Sequence, residues 1–244
     1  MDISFKGKRA LVTGAGRGIG RDTVKRLVKL GAKVVALSKT KEGLESLKLE
    51  LPEIEIVQCD LANWDETKKV ISSLDTIDLV VNNAAYAKLD PIGLVDEETV
   101  DLHFNINVKS IINVTQEVVK KLKAEGKPGS IVNISSQAGM VALQDHVAYC
   151  ASKGAVDQIT RVSALELGPF GIRCNSINPT VVETDMGKKG WSDPVKRKWM
   201  MDRIPLQKFA SVDDVVDSIV FLLSDKSAMI NGVILPIDGG FTAC

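Results

Sequence analysis

A doubly wound α/β fold on a seven-stranded parallel sheet is predicted by three observations. Short β-branched runs alternate with amphipathic segments almost from end to end, the pattern of βαβ units. The first run passes straight into a glycine-rich turn, Thr13-Gly-Ala-Gly-Arg-Gly-Ile-Gly20, and then into a helical pattern. The 244 residues carry no linker, repeat or low-complexity stretch, so residues 1–244 are expected to form one domain.

The strands are read from their apolar, β-branched character at about 8–13 (RALVT), 33–38 (KVVALS), 54–59 (IEIVQC), 77–82 (IDLVVN), 129–135 (SIVNIS), 171–178 (IRCNSIN) and 232–237 (GVILPI). Between them, helices are expected near 18–30, 41–50, 64–74, 97–124, 147–168 and 211–224. The segment 179–205 is longer than an ordinary connection and carries Gly187, Gly190, Trp191 and Pro194, which suits a mobile lid over a substrate. The two long helices bear apolar residues on more than one face, Ile111, Ile112, Val114 and Val118 in one and Val156, Ile159, Val162 and Leu165 in the other, which predicts a subunit interface.

Lys plus Arg balance Asp plus Glu at 31 each, and the basic residues are scattered, so no electrostatic footprint for nucleic acid or an anionic membrane is present. No apolar run of signal-peptide length opens the chain and none approaches the roughly 20 residues of a bilayer span, so a soluble, cytoplasmic protein is expected. Cys59, Cys150, Cys174 and Cys244 have neither paired nor zinc-type spacing and are read as packing residues. Cys244 is no prenyl acceptor, because the fourth position from the end is Phe241. The triplets at Asn113 and Asn133 match the glycosylation pattern but fall in a helix and a core strand, where coincidence is the better reading. His103 and His146 have no ligand cluster, so no metal is expected.

The glycine turn places Gly14, Gly18 and Gly20, with an extra Gly16, where backbone N–H groups approach a diphosphate at a helix N-terminus. The second strand ends Leu37-Ser38-Lys39-Thr40, without the acidic residue that would hold the ribose of NAD. Lys39 and Arg17 instead supply cations suited to a 2′-phosphate, predicting NADPH; the alternative is two ordinary solvated charges. Asp60-Leu61 ends the third strand and suits an adenine edge, and Asn82-Asn83-Ala84-Ala85 ends the fourth with small residues for close backbone approach.

Tyr149 and Lys153 stand four residues apart, on one face of a helix, a spacing that suits a tyrosine proton donor. A positive charge about 4 Å from a phenolate, at an effective dielectric of about 20, contributes on the order of 4 kcal/mol, which predicts a phenol pKa lowered by roughly three units. Desolvation of the lysine works against that on the lysine itself. Ser135-Ser136 ends the fifth strand, where open α/β sheets bind ligands. Asn107 lies inside the predicted 97–124 helix and needs a partner, either a local carbonyl or a functional one.

Thr13-Gly14 with Gly18 and Gly20, Asn82-Asn83-Ala84, Ser136, Tyr149 with Lys153, and Pro179 all stand in the order and separation of the short-chain dehydrogenases/reductases, which the chain resembles over essentially its whole length. The resemblance implies a Rossmann-type fold, a homotetramer and a catalytic tetrad of Asn107, Ser136, Tyr149 and Lys153. It further implies cofactor contacts at Gly14, Arg17, Gly18, Ile19, Gly20, Ser38, Lys39, Thr40, Asp60, Leu61, Asn83, Ala84, Ala85, Tyr149, Lys153, Pro179, Val182 and Thr184.

Within that family the chain is most similar to the L-xylulose (dicarbonyl) reductases, through Ser135-Ser136-Gln137, Pro179-Thr180-Val181-Val182, Trp191-Ser192-Asp193-Pro194, Ile204-Pro205-Leu206, Lys208-Phe209-Ala210 and the final Gly239 to Cys244. This implies NADPH-dependent reduction of a short polyhydroxy ketone or vicinal dicarbonyl, with Tyr149 as general acid, Ser136 on the carbonyl oxygen and Asn107 holding a water that refills the proton chain. Substrate contacts are expected at Ser136, Gln137, His146, Tyr149 and Trp191; alternatively His146 only starts a helix and Trp191 only anchors the lid. Two rival readings are a reductase of 3-oxoacyl thioesters in the same family and a non-catalytic NADPH-binding sensor or scaffold.

Overall fold

The computed structural model describes residues 2–243, the side chain of Met186 excepted; Cys244 lies outside them, and so does its expected packing role. Seven strands form one parallel sheet: β1 (Arg9–Thr13), β2 (Lys33–Ser38), β3 (Glu55–Gln58), β4 (Leu79–Asn82), β5 (Gly129–Ile134), β6 (Ile172–Pro179) and β7 (Ile234–Ile237). Their order across the sheet is β3-β2-β1-β4-β5-β6-β7. Every expected strand is present, with ends shifted by three residues or fewer. The order reverses between β1 and β4, so a crevice opens beyond their carboxyl ends, the ordinary ligand position in such sheets.

Alternation along each strand sends side chains to opposite faces. Ala10 and Val12 enter a core under α1 (Gly18–Lys29), α2 (Lys41–Glu50) and α9 (Val212–Leu223). Leu11 enters a second core under α3 (Trp64–Ser73), α5 (Ser110–Glu125) and α6 (Val147–Leu167). Helix starts are fixed by side-chain caps: Asn63 Oδ1 accepts from the Glu66 N–H at 3.1 Å, and Ser211 and Asp214 form a reciprocal capping box before α9.

The expected single helix at 97–124 is interrupted. It runs as α4 (Glu97–His103), a π-helical turn over Phe104–Lys109, and then α5. A π turn inserts an extra residue into the helical register and is found mainly at functional sites. Here it turns Asn107 inward to complete burial.

The expected lid segment 179–205 contains two short helices that were not anticipated, α7 (Asp185–Gly190) and α8 (Pro194–Met201), capped by Thr184 and Asp193. A third apolar cluster of Met200, Ile204 and Phe209, flanked by Val181, Trp191 and Phe241, packs this segment against the body.

Cys59 and Cys174 are buried and unpaired, and Cys150 is half-buried, in keeping with packing roles. Asn113 donates to the Trp64 carbonyl and Asn133 to Thr160, so both glycosylation triplets are engaged in the interior. No helix among the described residues is long and apolar enough to cross a membrane. Ser211→Ala removes the hydroxyl half of the α9 capping box and is expected to cost about 1 kcal/mol, a fall of roughly 2–4 °C in melting temperature; an unchanged melt refutes the cap's contribution.

Candidate active site

The glycine turn is locked at the crevice. Gly14 and Gly18 adopt positive φ angles of 64° and 53°. A Cβ on Gly14 would lie 2.9 Å from the Ala84 Cα, and one on Gly20 would run into the Gly14 carbonyl. The Asn83 side-chain amide donates to the Thr13 carbonyl at 2.9 Å and the Gly14 carbonyl at 3.2 Å, while the Thr13 hydroxyl accepts from the Asn83 and Ala84 N–H groups. Asn83 and Ala84 therefore clamp the turn across the β1–β4 boundary. The α1 N-terminus has no side-chain cap and no acidic residue in its first turn, leaving its N–H groups for an anion. Ile19 stands in that first turn, with Arg17 exposed beside it.

Ser38, Lys39 and Thr40 follow β2, and Asp60 and Leu61 follow β3, so the predicted ribose and adenine contacts share one rim. Lys39 is exposed and paired with Asp60 at 2.7 Å, and an incoming phosphate would share that cation. Burial pushes the Asp60 carboxyl up, but the Lys39 ammonium and the Ala62 N–H hold it below its ordinary value. Pro179 ends β6, Val182 pairs with Ala210, and Thr184 starts α7 directly against Gly18, so the lid segment abuts the glycine turn.

The four tetrad residues come from four places: the π turn, the end of β5 and two turns of α6. The Asn107 amide accepts from the Tyr86 N–H at 2.8 Å and donates to the Tyr86 carbonyl and the Ser152 hydroxyl, each at 3.0 Å. Its N–H donors are thus spent on protein partners, neither of them a local helix carbonyl. The side chain ties the Tyr86 segment to α6. Ser136 accepts from the Ala138 N–H at 3.1 Å, and its carbonyl accepts from Asn178 at 2.9 Å. Lys153 is 2 % exposed, and its ammonium donates to the Ile134 carbonyl at 2.8 Å. The same ammonium stands 5.7 Å from the Tyr149 ring centre.

The electrostatics correct the expected lowering of the tyrosine pKa. Burial raises the Tyr149 phenol above its ordinary value, and the nearby Ser136 hydroxyl only partly opposes this. Burial pushes Lys153 down to about 8, against the pull of Asp157. The charge that was to lower the phenol is itself costly in this dry setting. The result is a tyrosine that keeps its proton at neutral pH beside a lysine near the edge of its charged range.

Gln137 follows Ser136, is 1 % exposed, and has neither its amide oxygen nor its amide nitrogen partnered. His146 occupies the N-cap position of α6 without a side-chain capping bond, bonds the Gln144 carbonyl through Nδ1, and meets the Tyr149 ring edge-on at 6.2 Å. Trp191 packs on Phe209 at 6.1 Å with the Lys196 ammonium 4.7 Å above it, which makes it an anchor of the lid. Two residues were not foreseen. His103 is fully buried between the Tyr86 and Tyr149 rings, at 4.9 and 6.1 Å. Asp157 lies one turn beyond Lys153; its helical spacing was the available signal. Among the described residues no His/Cys/Asp/Glu group could hold a metal.

A glycine-braced helix N-terminus facing a Ser-Tyr-Lys cluster at strand carboxyl ends defines a dinucleotide-dependent oxidoreductase. A family model described as Enoyl-(Acyl carrier protein) reductase matches residues 14–242, and the chain belongs to the short-chain dehydrogenase/reductase family. It is 54% identical to the L-xylulose reductase of Mus musculus over 243 residues, covering 100% of both chains. It is likewise 54% identical to the D-erythrulose reductase of Gallus gallus over 240 residues, 98% of each. Among solved structures, it matches a putative 2-deoxy-D-gluconate 3-dehydrogenase from Agrobacterium tumefaciens with bound NADP, at a TM-score of 0.92, 29% identity, and coverage of 100% of this chain and 99% of that one. Asn107→Ala would leave the buried Tyr86 backbone groups unpaired, for an expected loss of about 1–3 kcal/mol; thermal unfolding checks it, and an unaltered melting temperature would contradict the clamp.

Proposed function

We propose that the chain is an NADPH-dependent reductase of small carbonyl compounds, acting on L-xylulose to give xylitol and on α-dicarbonyls. The observation that carries this is the convergence of Ser136, Tyr149 and Lys153 at the mouth of the crevice, beside the buried, unpartnered amide of Gln137. Whole-length similarity to an L-xylulose reductase and a D-erythrulose reductase supports the same substrate class over the acyl-thioester description of the family model.

The residues fit the dinucleotide. The space above Gly14 and Gly20 admits no side chain, and the uncapped α1 N-terminus suits a diphosphate. Gly14, Arg17, Gly18, Ile19 and Gly20 would hold the diphosphate, Ser38, Lys39 and Thr40 the 2′-phosphate, and Asp60 and Leu61 the adenine. Asn83, Ala84 and Ala85, with Pro179, Val182 and Thr184, would line the nicotinamide end, closed by the lid at 179–205. When bound, the cofactor supplies the hydride.

The Ser136 hydroxyl donates to the substrate carbonyl oxygen and stabilises the charge that develops there. Tyr149 Oη then gives that oxygen its proton. A phenol held above its ordinary pKa stays loaded at neutral pH, and an alkoxide-like oxygen is a far stronger base, so the proton still moves downhill. Lys153 offsets the charge left on the phenolate. Asn107 contributes by fixing the Tyr86 backbone, and Gln137 and His146 by facing substrate hydroxyl or carbonyl groups; Trp191 sets the lid from which it meets the substrate.

The exposed apolar residues of the long helices support an oligomer. Ile112, Val162 and Leu165 are 39%, 43% and 78% exposed, which supports these helices being covered by another subunit of a homotetramer. The number four is carried by the family resemblance alone, and neither it nor the cytoplasmic location rests on these faces. Light scattering tests the subunit number, and a monomer would refute it.

Assays of NADPH and NADH oxidation with L-xylulose, diacetyl and an acetoacetyl thioester test the function: preference for the thioester, or tight NADPH binding without any reduction, overturns it. Tyr149→Phe should keep NADPH affinity while losing at least about 10²-fold in turnover; wild-type turnover in this variant would sink the proton-donor role. Lys153 carries its charge below about 8 and loses it as pH rises through that value. Reductive kcat/KM, which reports the free enzyme, should therefore fall above pH about 8, and a flat alkaline profile would contradict this.

A further inference from the structure

Tyr149, Lys153 and Asp157 recur every four residues of α6, and so line one face of the helix. Asp157 is 3 % exposed and Lys153 2 %. Two formally charged groups this dry persist only where each is paired and hydrogen-bonded. We propose that Asp157 is a positioning residue of the active site, a buried carboxylate that holds Lys153 in its charged form and, through Asn178, fixes the carbonyl of Ser136. The inference rests on the reading of Lys153 as the cation that serves Tyr149.

The hydrogen bonds around Asp157 run in one direction. The Asn178 amide nitrogen lies 3.1 Å from Oδ1 and 2.9 Å from Oδ2, and it also donates to the Ser136 carbonyl at 2.9 Å. One amide thus serves the carboxylate with one hydrogen and Ser136 with the other. Its orientation is set from behind, where its oxygen accepts from the Ser176 hydroxyl at 2.8 Å. Ser176 is also 3.4 Å from Oδ1, and the Ser135 hydroxyl, which donates to the Lys153 carbonyl at 3.1 Å, faces the same carboxylate. Asn178 is the donor that spans both carboxyl oxygens, since the single protons of Ser176 and Ser135 go to Asn178 and the Lys153 carbonyl; burial raises the Asp157 carboxyl above its ordinary value, and its hydrogen bonds oppose that.

Packing reinforces the link. A Cβ on Gly139 would come within 2.7 Å of Asp157 Oδ2 and 2.9 Å of the Lys153 carbonyl carbon. Gly139 closes the short turn Gln137–Gly139 that Ser136 caps. The turn bearing Ser136 and Gln137 is therefore seated directly on the Lys153–Asp157 stretch of α6. Apart from Tyr149, the charged or titratable groups facing this pair are Arg161, one turn further along α6, and His103 from α4, which burial and the Lys153 charge keep neutral. The strands packed on it present the neutral Ser135, Ser176 and Asn178. Asp157 is thus the anion that opposes the desolvation of Lys153.

The test uses the full chain. In ligand-free protein with 13C-labelled lysine side chains, Lys153 should titrate near 8 in the wild type, at least about one unit lower in Asp157→Asn, and close to wild type in Asp157→Glu. The alkaline limb of kcat/KM should move down by the same interval, an activity loss of about tenfold near that limb. A wild-type measurement needs no variant: the Asp157 carboxyl carbon should report an ionised group at pH 7. A protonated Asp157 at that pH, or an unshifted Lys153 in a folded Asp157→Asn protein, overturns the proposal. If the wild type reduces no carbonyl, the functional reading fails while the Lys153 titration still decides this one.

Discussion

A lysine ammonium held almost out of water is the constraint around which the site is built. Lys153 reaches the Ile134 carbonyl at the end of β5, so the packing of α6 on that strand end fixes where the charge sits. The cost is visible in its lowered pKa, and only a preformed set of acceptors makes the position tenable. A helix of 21 residues suits this demand, because it can expose its start at the crevice while its last turns, at Ala164 and Leu167, are pinned in the second core. Tyr149, one turn nearer the open end, is thereby carried to the mouth in a fixed orientation.

The second fixed point is the π turn. A regular helix from 97 onward would keep its amides satisfied locally; the extra residue at Phe104–Lys109 frees Asn107 to serve the chain leaving β4 instead. Through Asn107 the Tyr86 backbone is bonded to Ser152 of α6, and the Ser152 hydroxyl donates in turn to the Tyr149 carbonyl at 2.8 Å. His103, wedged between the Tyr86 and Tyr149 rings, closes the same circuit by packing. The chain leaving β4 and the start of α6, with Tyr149, are consequently parts of one rigid unit.

The sheet was legible because its evidence is redundant: each strand is an apolar run between helical patterns, and an error at one end leaves the order intact. The proposed tetrad came from the family resemblance; spacing by itself singled out Tyr149 and Lys153, and the structure stacks them on one face of α6. The lid helices were not legible, because α7 contains Gly187 and Gly190 and α8 is only eight residues long, too short for a periodicity to rise above noise. The π turn was not predictable: Phe104 to Lys109 is poor in strong helix formers, but that signals a weak helix rather than a π register, and the Asn107 bonds to Tyr86 that accompany it are tertiary. The sign of the Tyr149 shift was missed for a related reason. Spacing reveals that a cation is near, whereas burial, which outweighs it, depends on everything packed around the pair.

Under the proposed function, Gln137 would give a preference for polar ketones its physical basis. An amide with both polar ends buried and unpartnered costs free energy until something bonds to it, and the turn that carries it is rigidly seated on α6. A substrate with hydroxyl or carbonyl groups next to the reacting carbon satisfies that amide; an acyl chain excludes water from it and offers nothing in return. Sites with fixed polar groups reject a partner that leaves them unpaired far more strongly than an apolar pocket rejects an extra methylene. On the proposed function, a polar ketone would be favoured less by any attraction unique to it than by the penalty its competitors incur.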